Sequence, residues 1–252
     1  MTERLQFKPP WSPDLQKLGE GIWLVRGDLK HGMNVYLLAE NGGGVTAFDA
    51  GTKPMVGAVK RAAERLGGLR RVVLGHSHSD HRGTAPYLGV PVYCHPDEKP
   101  YAEKPTWREN APYWNIDLIQ NARVRWLYKN WLHNRWDGGA VEIAGTLDEG
   151  DEVCGFEVKH LPGHAPGQIA LWRESDGLAI TTDVCYFADS ETLKPTENPS
   201  VPHRAWNWDH EKARESVHKL AELNPKTLFP GHEEPHSEPD LRDRLERAAE
   251  QG

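Results

Sequence analysis

At 252 residues the chain is long enough to build a hydrophobic core without staples, and it is read as one domain over residues 1–252. A net charge of -7 offers no general field for a phosphate backbone, so nucleic acid is not an expected partner; the basic residues Lys60, Arg61, Arg65, Arg70 and Arg71 read as a solvated helix face. The three cysteines, Cys94, Cys154 and Cys185, are odd in number and far apart, which argues against a disulfide framework and fits a reducing, cytoplasmic setting; residues 1–8 carry charges where a signal peptide needs an apolar stretch, and no run is long enough to span a membrane.

Three apolar runs, at 21–26, 34–38 and 45–49, are bounded by glycine or polar turns and predict a strand meander. Val56, Val59, Ala63 and Leu66 recur at helical spacing over 54–66, and 70–74 then reads as a buried strand ending on Gly75. Short strands are expected at 90–94, 157–161, 168–172 and 178–182, then a helix over 209–223, a strand at 227–229 and a last helix from Asp240. Mixed strands and helices favour a layered α/β architecture. The stretch 101–136 differs in composition, holding five of the ten tryptophans: Trp107, Trp114, Trp126, Trp131 and Trp136. Val124, Leu127, Tyr128 and Trp131 predict a helix with an aromatic face there, in an insert at about 97–139. That face fits a wall of an apolar substrate pocket, and equally a homodimer interface or ordinary core packing.

The segment His76-Ser77-His78-Ser79-Asp80-His81 places four potential ligands within six residues, directly after a strand. Imidazole and carboxylate donors without a nearby thiolate suit zinc or a similar divalent ion. In an extended loop His76 and His78 face one way, so they can serve one ion while Asp80 and His81 reach a neighbour. Further candidates stand at element ends: His164 after Leu161-Pro162-Gly163, His232 after Phe229-Pro230-Gly231, and Asp183 at the close of an apolar strand, where a carboxylate needs a partner. His31, His133, His160, His203, His210, His218 and His236 read as solvated or hydrogen-bonded residues, and His95 as part of a turn. Ser77 and Ser79 lack a nucleophile elbow and are expected to point away from the metals.

In order, these residues resemble the metallo-β-lactamase fold superfamily: H-x-H-x-D-H, then His, Asp and His, over nearly the whole chain. The resemblance implies an αββα four-layer sandwich of two mixed sheets flanked by helices, with the site at one edge. It implies that His76, His78 and His164 hold one ion, Asp80, His81 and His232 a second, and that Asp183 bridges them. The ions are two divalent metals, zinc by donor preference, with iron or manganese as alternatives. Asp49 matches an early aspartate that supports a ligand, and serves as readily as a strand-end turn former.

A pair of ions lowers the pKa of a shared water and polarises a carbonyl, so no serine or cysteine nucleophile is needed. Tyr186, three residues after Asp183, has a spacing similar to that of acyl-homoserine lactone lactonases, which implies a hydrogen bond to the substrate carbonyl or its oxyanion; strand-end packing accounts for it as well. The expected activity is a hydrolase opening a small ester, most simply a lactone, by attack of a metal-bridging hydroxide, with Asp80 passing the proton and Tyr186 at the oxyanion. The alternatives are a glyoxalase-II-like thioesterase, although only 20 residues follow His232, and a mononuclear-iron persulfide dioxygenase. A small-molecule ester or lactone is the expected partner.

Overall fold

The computed structural model describes residues 4–5, 15–27 and 32–252; residues 1–3, 6–14 and 28–31 lie outside, and with them His31 and most of the charged start. In chain order the first sheet comprises β1 (Arg4–Leu5), β2 (Leu15–Gly19), β3 (Ile22–Gly27), β4 (Met33–Ala39) and β5 (Val45–Phe48), then β6 (Leu69–Val73), β7 (Val92–Cys94) and β8 (Gly145–Thr146). Spatial order follows chain order, antiparallel from β1 to β5 and parallel from β5 to β8. The helix α1 (Val56–Arg65) makes the crossover from β5 to β6, as the apolar spacing predicts, with a 3-10 turn at Lys53–Met55 opening it.

The second sheet holds β9 (Glu152–Val153), β10 (Phe156–His160), β11 (Ile169–Arg173) and β12 (Leu178–Thr182), with β15 (Thr227–Pro230) parallel to β12 at the far edge. Between β12 and β15 come a hairpin the sequence did not suggest, β13 (Tyr186–Asp189) and β14 (Lys194–Ser200), and the helix α7 (His210–Glu222). Asp209 caps α7 by accepting the Lys212 N–H at 3.1 Å, so the helix begins one residue after the expected start. The chain closes on α8 (Leu241–Gln251).

Alternation along the strands decides the layering. Tyr36 and Leu38 of β4 and Val73 of β6 meet Ile169 and Leu171 of β11 and Ile180 of β12 in a core between the two sheets. The residues of opposite parity face outward into separate cores. Val35, Leu37 and Val72 pack with Val59 and Ala63 of α1. Ala170, Trp172 and Ala179 pack under Val217 and Leu220 of α7 and Leu241 and Leu245 of α8. Strands covered on both faces read as continuous apolar runs, which is why Met33–Ala39 shows no amphipathic pattern. The result is helix, sheet, sheet, helix: the expected four layers.

The stretch 97–139 is helical, carrying α3 (Lys99–Ala102), α4 (Trp107–Asn110), α5 (Ala122–Leu127) and α6 (His133–Trp136), the last two joined by a π-helical turn at Tyr128–Leu132. The π turn corrects the expected aromatic face. One extra residue in the turn carries Leu132 and His133 inward in place of Trp131, which is 43 % exposed, as Trp126 is at 62 %. Trp107, Ile116, Ile119, Val124 and Trp206 instead form a small core of their own, against which Trp114, Tyr128 and Tyr186 pack.

Leu171 is fully buried between the sheets. Leu171→Ala is expected to lower the unfolding free energy by about 3 kcal/mol, read from the urea midpoint of the metal-free protein.

Candidate metal centre

Every sequence-predicted ligand follows a strand end at one edge of the sandwich. The segment after β6 bears His76 and His78 and turns into α2 (Ser79–Arg82), which carries Asp80 and His81. His164 follows β10, Asp183 follows β12 and His232 follows β15. Gly231 permits this convergence, since a Cβ there would stand 2.5 Å from Asp183 Oδ1 and 2.9 Å from His81 Cε1.

The structure brings all seven residues together in three overlapping groups, His76–His78–His164, His76–His81–Asp183 and Asp80–His81–His232. Asp183 lies between the first and the third. Its Oδ2 is 3.3 Å from His81 Nε2, 3.3 Å from His232 Nε2, 3.5 Å from His164 Nε2 and 4.0 Å from His76 Nε2. The Tyr186 hydroxyl donates to the same oxygen at 2.8 Å. In the first group His78 Nδ1 and His164 Nε2 are 2.9 Å apart.

These residues fit divalent ions on an observation of their own: His76 Nδ1 and Nε2, His81 Nε2 and Asp183 Oδ1 are buried and have no hydrogen-bond partner. Orphaned buried polar atoms are costly, and convergent ones are the mark of a cation site. Other ring nitrogens are held from outside. His81 Nδ1 is 2.8 Å from Asp49 Oδ2, His164 Nδ1 is 3.2 Å from Asn207 Oδ1, and His232 Nδ1 donates to the Gly32 carbonyl at 2.7 Å. Each contact directs Nε2 inward. Asp49 therefore fulfils both of its readings. Its φ of 61° makes the turn at the end of β5, while its other oxygen accepts the Gly75 N–H at 2.8 Å.

Burial pushes His76 and His78 well below the ordinary imidazole range, and His164 to about 4, so these three are neutral and ready to ligate. Burial also opposes a charge on His81 and His232, but Asp183 and its neighbouring carboxylates outweigh it, holding His81 well above its ordinary value and His232 at about 9. The same imidazoles hold Asp183 well below the usual carboxylate range against the effect of burial. Burial raises Asp80.

The other histidines divide. Ser77 and Ser79 point away from the ligands as expected, Ser77 Oγ donating to Glu98 Oε1 at 2.6 Å and Ser79 Oγ lying 3.2 Å from His133 Nδ1. His133 is not solvated; burial among Trp107, Trp114 and Tyr128 pushes it to about 3. His95, Asp97 and His160 form another candidate group among the described residues. Its two imidazoles stack at 3.8 Å with planes only 16° apart, so their in-plane lone pairs run side by side and do not converge. Glu98, Tyr113 and Asn207, which brace the ligand loops, carry no motif or spacing that would have marked them in the sequence.

A family model described as the metallo-beta-lactamase superfamily matches residues 31–232. The chain is 28 % identical over 217 residues to the probable metallo-hydrolase YflN of Bacillus subtilis (strain 168), covering 80 % of each chain. Its fold is similar to the metallo-beta-lactamase family protein TTHA1429 from Thermus thermophilus, with a TM-score of 0.64, 23 % identity, and 93 % of this chain and 80 % of that one covered. It is also similar to TTHA1623, solved in a di-iron-bound form, with a TM-score of 0.57, 23 % identity, and 84 % and 93 % covered.

Because His232 is raised from 6.5 to about 9 in the ion-free fold, its contribution to stability is complete below pH 6.5 and disappears as pH rises through 9. The thermal midpoint of chelated protein is therefore expected to fall over that window, and His232→Asn to flatten part of the fall, as followed by scanning fluorimetry across pH.

Proposed function

This chain belongs to the metallo-β-lactamase superfamily, and on that premise we propose that it is a dinuclear metal-dependent hydrolase opening a small carboxylic ester, most simply a lactone. The ligand sets are His76, His78 and His164 for one ion and Asp80, His81 and His232 for the other, with Asp183 between them. Donors of nitrogen and oxygen without thiolate suit zinc, and suit iron or manganese as well. Two divalent ions held there supply an activated water and Lewis acidity at the carbonyl.

The observation that carries the ester reading is the placement of Tyr186. Its hydroxyl donates to Asp183 Oδ2 at 2.8 Å, and its ring centre is 5.9 Å from that of His164 and 5.8 Å from that of His232, so it stands beside both ligand groups. Burial and Asp183 raise this phenol well above its ordinary value, so it stays protonated, and its one proton, donated to Asp183 here, can turn to a developing oxyanion. Substrate reaches the centre from one side. The side chains of His76, His81, His164 and Asp183 are at most 2 % exposed, whereas those of Asp80 and His232 are 14 % and 21 % exposed. Asp80 is thus at the mouth, where its carboxylate can take up a proton and pass it to the departing ring oxygen as the carbon–oxygen bond breaks.

Asp183→Ala is expected to lose both bound metal and turnover. Tyr186→Phe should keep both ions and slow lactone opening by about 10²–10³. Metal analysis alongside a panel of lactones, thioesters and phosphodiesters checks both; a Tyr186→Phe enzyme as fast as wild type on its best substrate sinks the lactone reading.

A further inference from the structure

We propose that Tyr113, contributed by the helical stretch 97–139, is the positioning residue that selects which nitrogen of His78 faces the metal. The inference rests on the reading of His76, His78 and His164 as ligands. His78 is 1 % exposed, and its two ring nitrogens have separate neighbours: Nδ1 is turned to His164 Nε2 at 2.9 Å, and Nε2 lies 2.7 Å from the Tyr113 hydroxyl. For Nδ1 to present a lone pair to an ion, the proton must reside on Nε2, so the phenol oxygen must accept it. A hydroxyl can accept in this way and a phenyl ring cannot.

The position of Tyr113 is itself tied to the ligand segment, which the insert grips residue by residue. Glu98 accepts the Ser77 N–H at 2.9 Å and the Ser77 hydroxyl at 2.6 Å, and its other oxygen accepts the Gly167 N–H at 2.9 Å. Asn110 Nδ2 donates to Ser77 Oγ at 2.9 Å and to the Tyr101 carbonyl at 3.1 Å. The buried Arg82, at the end of α2, donates to the Ala102 carbonyl at 2.8 Å and to Asp137 at 3.0 Å. Trp114 closes the other side of His78, with ring centres 4.5 Å apart at 61°. Among the described residues, the partners of the other ligand imidazoles (Asp49, Asn207 and Gly32) come from outside the insert, and His76 has no hydrogen-bond partner. The insert's one hydrogen bond to a ligand imidazole among the described residues therefore falls in the His76–His78–His164 group.

The test is zinc binding by purified protein, followed by chelator competition, for wild type, Tyr113→Phe and Trp126→Ala, a control on the exposed face of the same insert. Tyr113→Phe is expected to weaken one zinc ion by about 10–100-fold while leaving the other, and the thermal midpoint of the chelated protein, as in wild type. Trp126→Ala should match wild type throughout. Unchanged retention of both ions in Tyr113→Phe overturns the proposal. So does weakening of both ions together with a lowered midpoint without metal, because that pattern marks a purely structural side chain. Wild-type protein that takes up no zinc, iron or manganese instead overturns the ligand reading beneath it, and the proposal falls with it.

Discussion

A carboxylate has been carried into the interior of this protein and surrounded by imidazoles. Asp183 Oδ2 stands within 4.0 Å of four ring nitrogens drawn from three separate segments of the chain, and Oδ1 has no partner. Burying an ionised group costs several kcal/mol unless it is paired, and burying neutral imidazole nitrogens with nothing to accept or donate adds to that cost. Divalent ions remove both penalties at once, since each lone pair gains an acceptor and the carboxylates gain counter-charge. Much of the surrounding structure follows from the need to hold these donors convergent.

The backbone near the ligands carries strain in keeping with that demand. Asp49, Thr182 and Glu233, none of them glycine, take φ of 61°, 46° and 64°, and each adjoins or supports a ligand. Thr182 is β-branched, so its conformation is the least comfortable of the three, and it coincides with the irregularity in pairing between β12 and β15 that turns Asp183 inward. The first sheet steadies what the second presents. Tyr36 donates to the Pro230 carbonyl at 2.7 Å, Asn34 donates to the carbonyls of Pro230 and Glu233, each at 2.9 Å, and Arg26 binds Glu234, so the loop bearing His232 is laced to β3 and β4. The apolar core between the sheets therefore sets the distance across each ligand group, since each draws its members from both sheets.

The two halves of the centre differ in their surroundings. The His76–His78–His164 side is covered by the insert and by a small aromatic core that reaches Tyr186, whereas the Asp80–His232 side meets solvent. The tryptophan-rich stretch thus spends most of its aromatic surface on packing, with Trp126 and Trp131 left outside. Its polar residues Glu98, Asn110 and Tyr113 hydrogen-bond to the ligand segment.

Much of this protein could be read from its sequence, because the strongest signals are local. Ligands crowded into His76–His81 with glycine before them, and His164, Asp183 and His232 each placed at the end of an apolar run, announce a metal site without reference to anything distant. Apolar runs bounded by glycine or polar turns located most strands, and the helices α1, α7 and α8 were placed to within a residue or two. The family resemblance supplied the layering. What the sequence could not decide is whatever depends on groups far apart in the chain. The hairpin β13–β14 is short, polar and mostly exposed along Lys194–Ser200, so it carries no hydrophobic pattern. The inward face of the insert was set by a π turn, a shift of one residue that spacing alone cannot register. Glu98, Tyr113 and Asn207 lie 21, 35 and 43 residues from the partners they brace. A hydrogen bond of that span leaves no periodicity behind, so only the folded chain determines which nitrogen each histidine offers and from which side the centre is open.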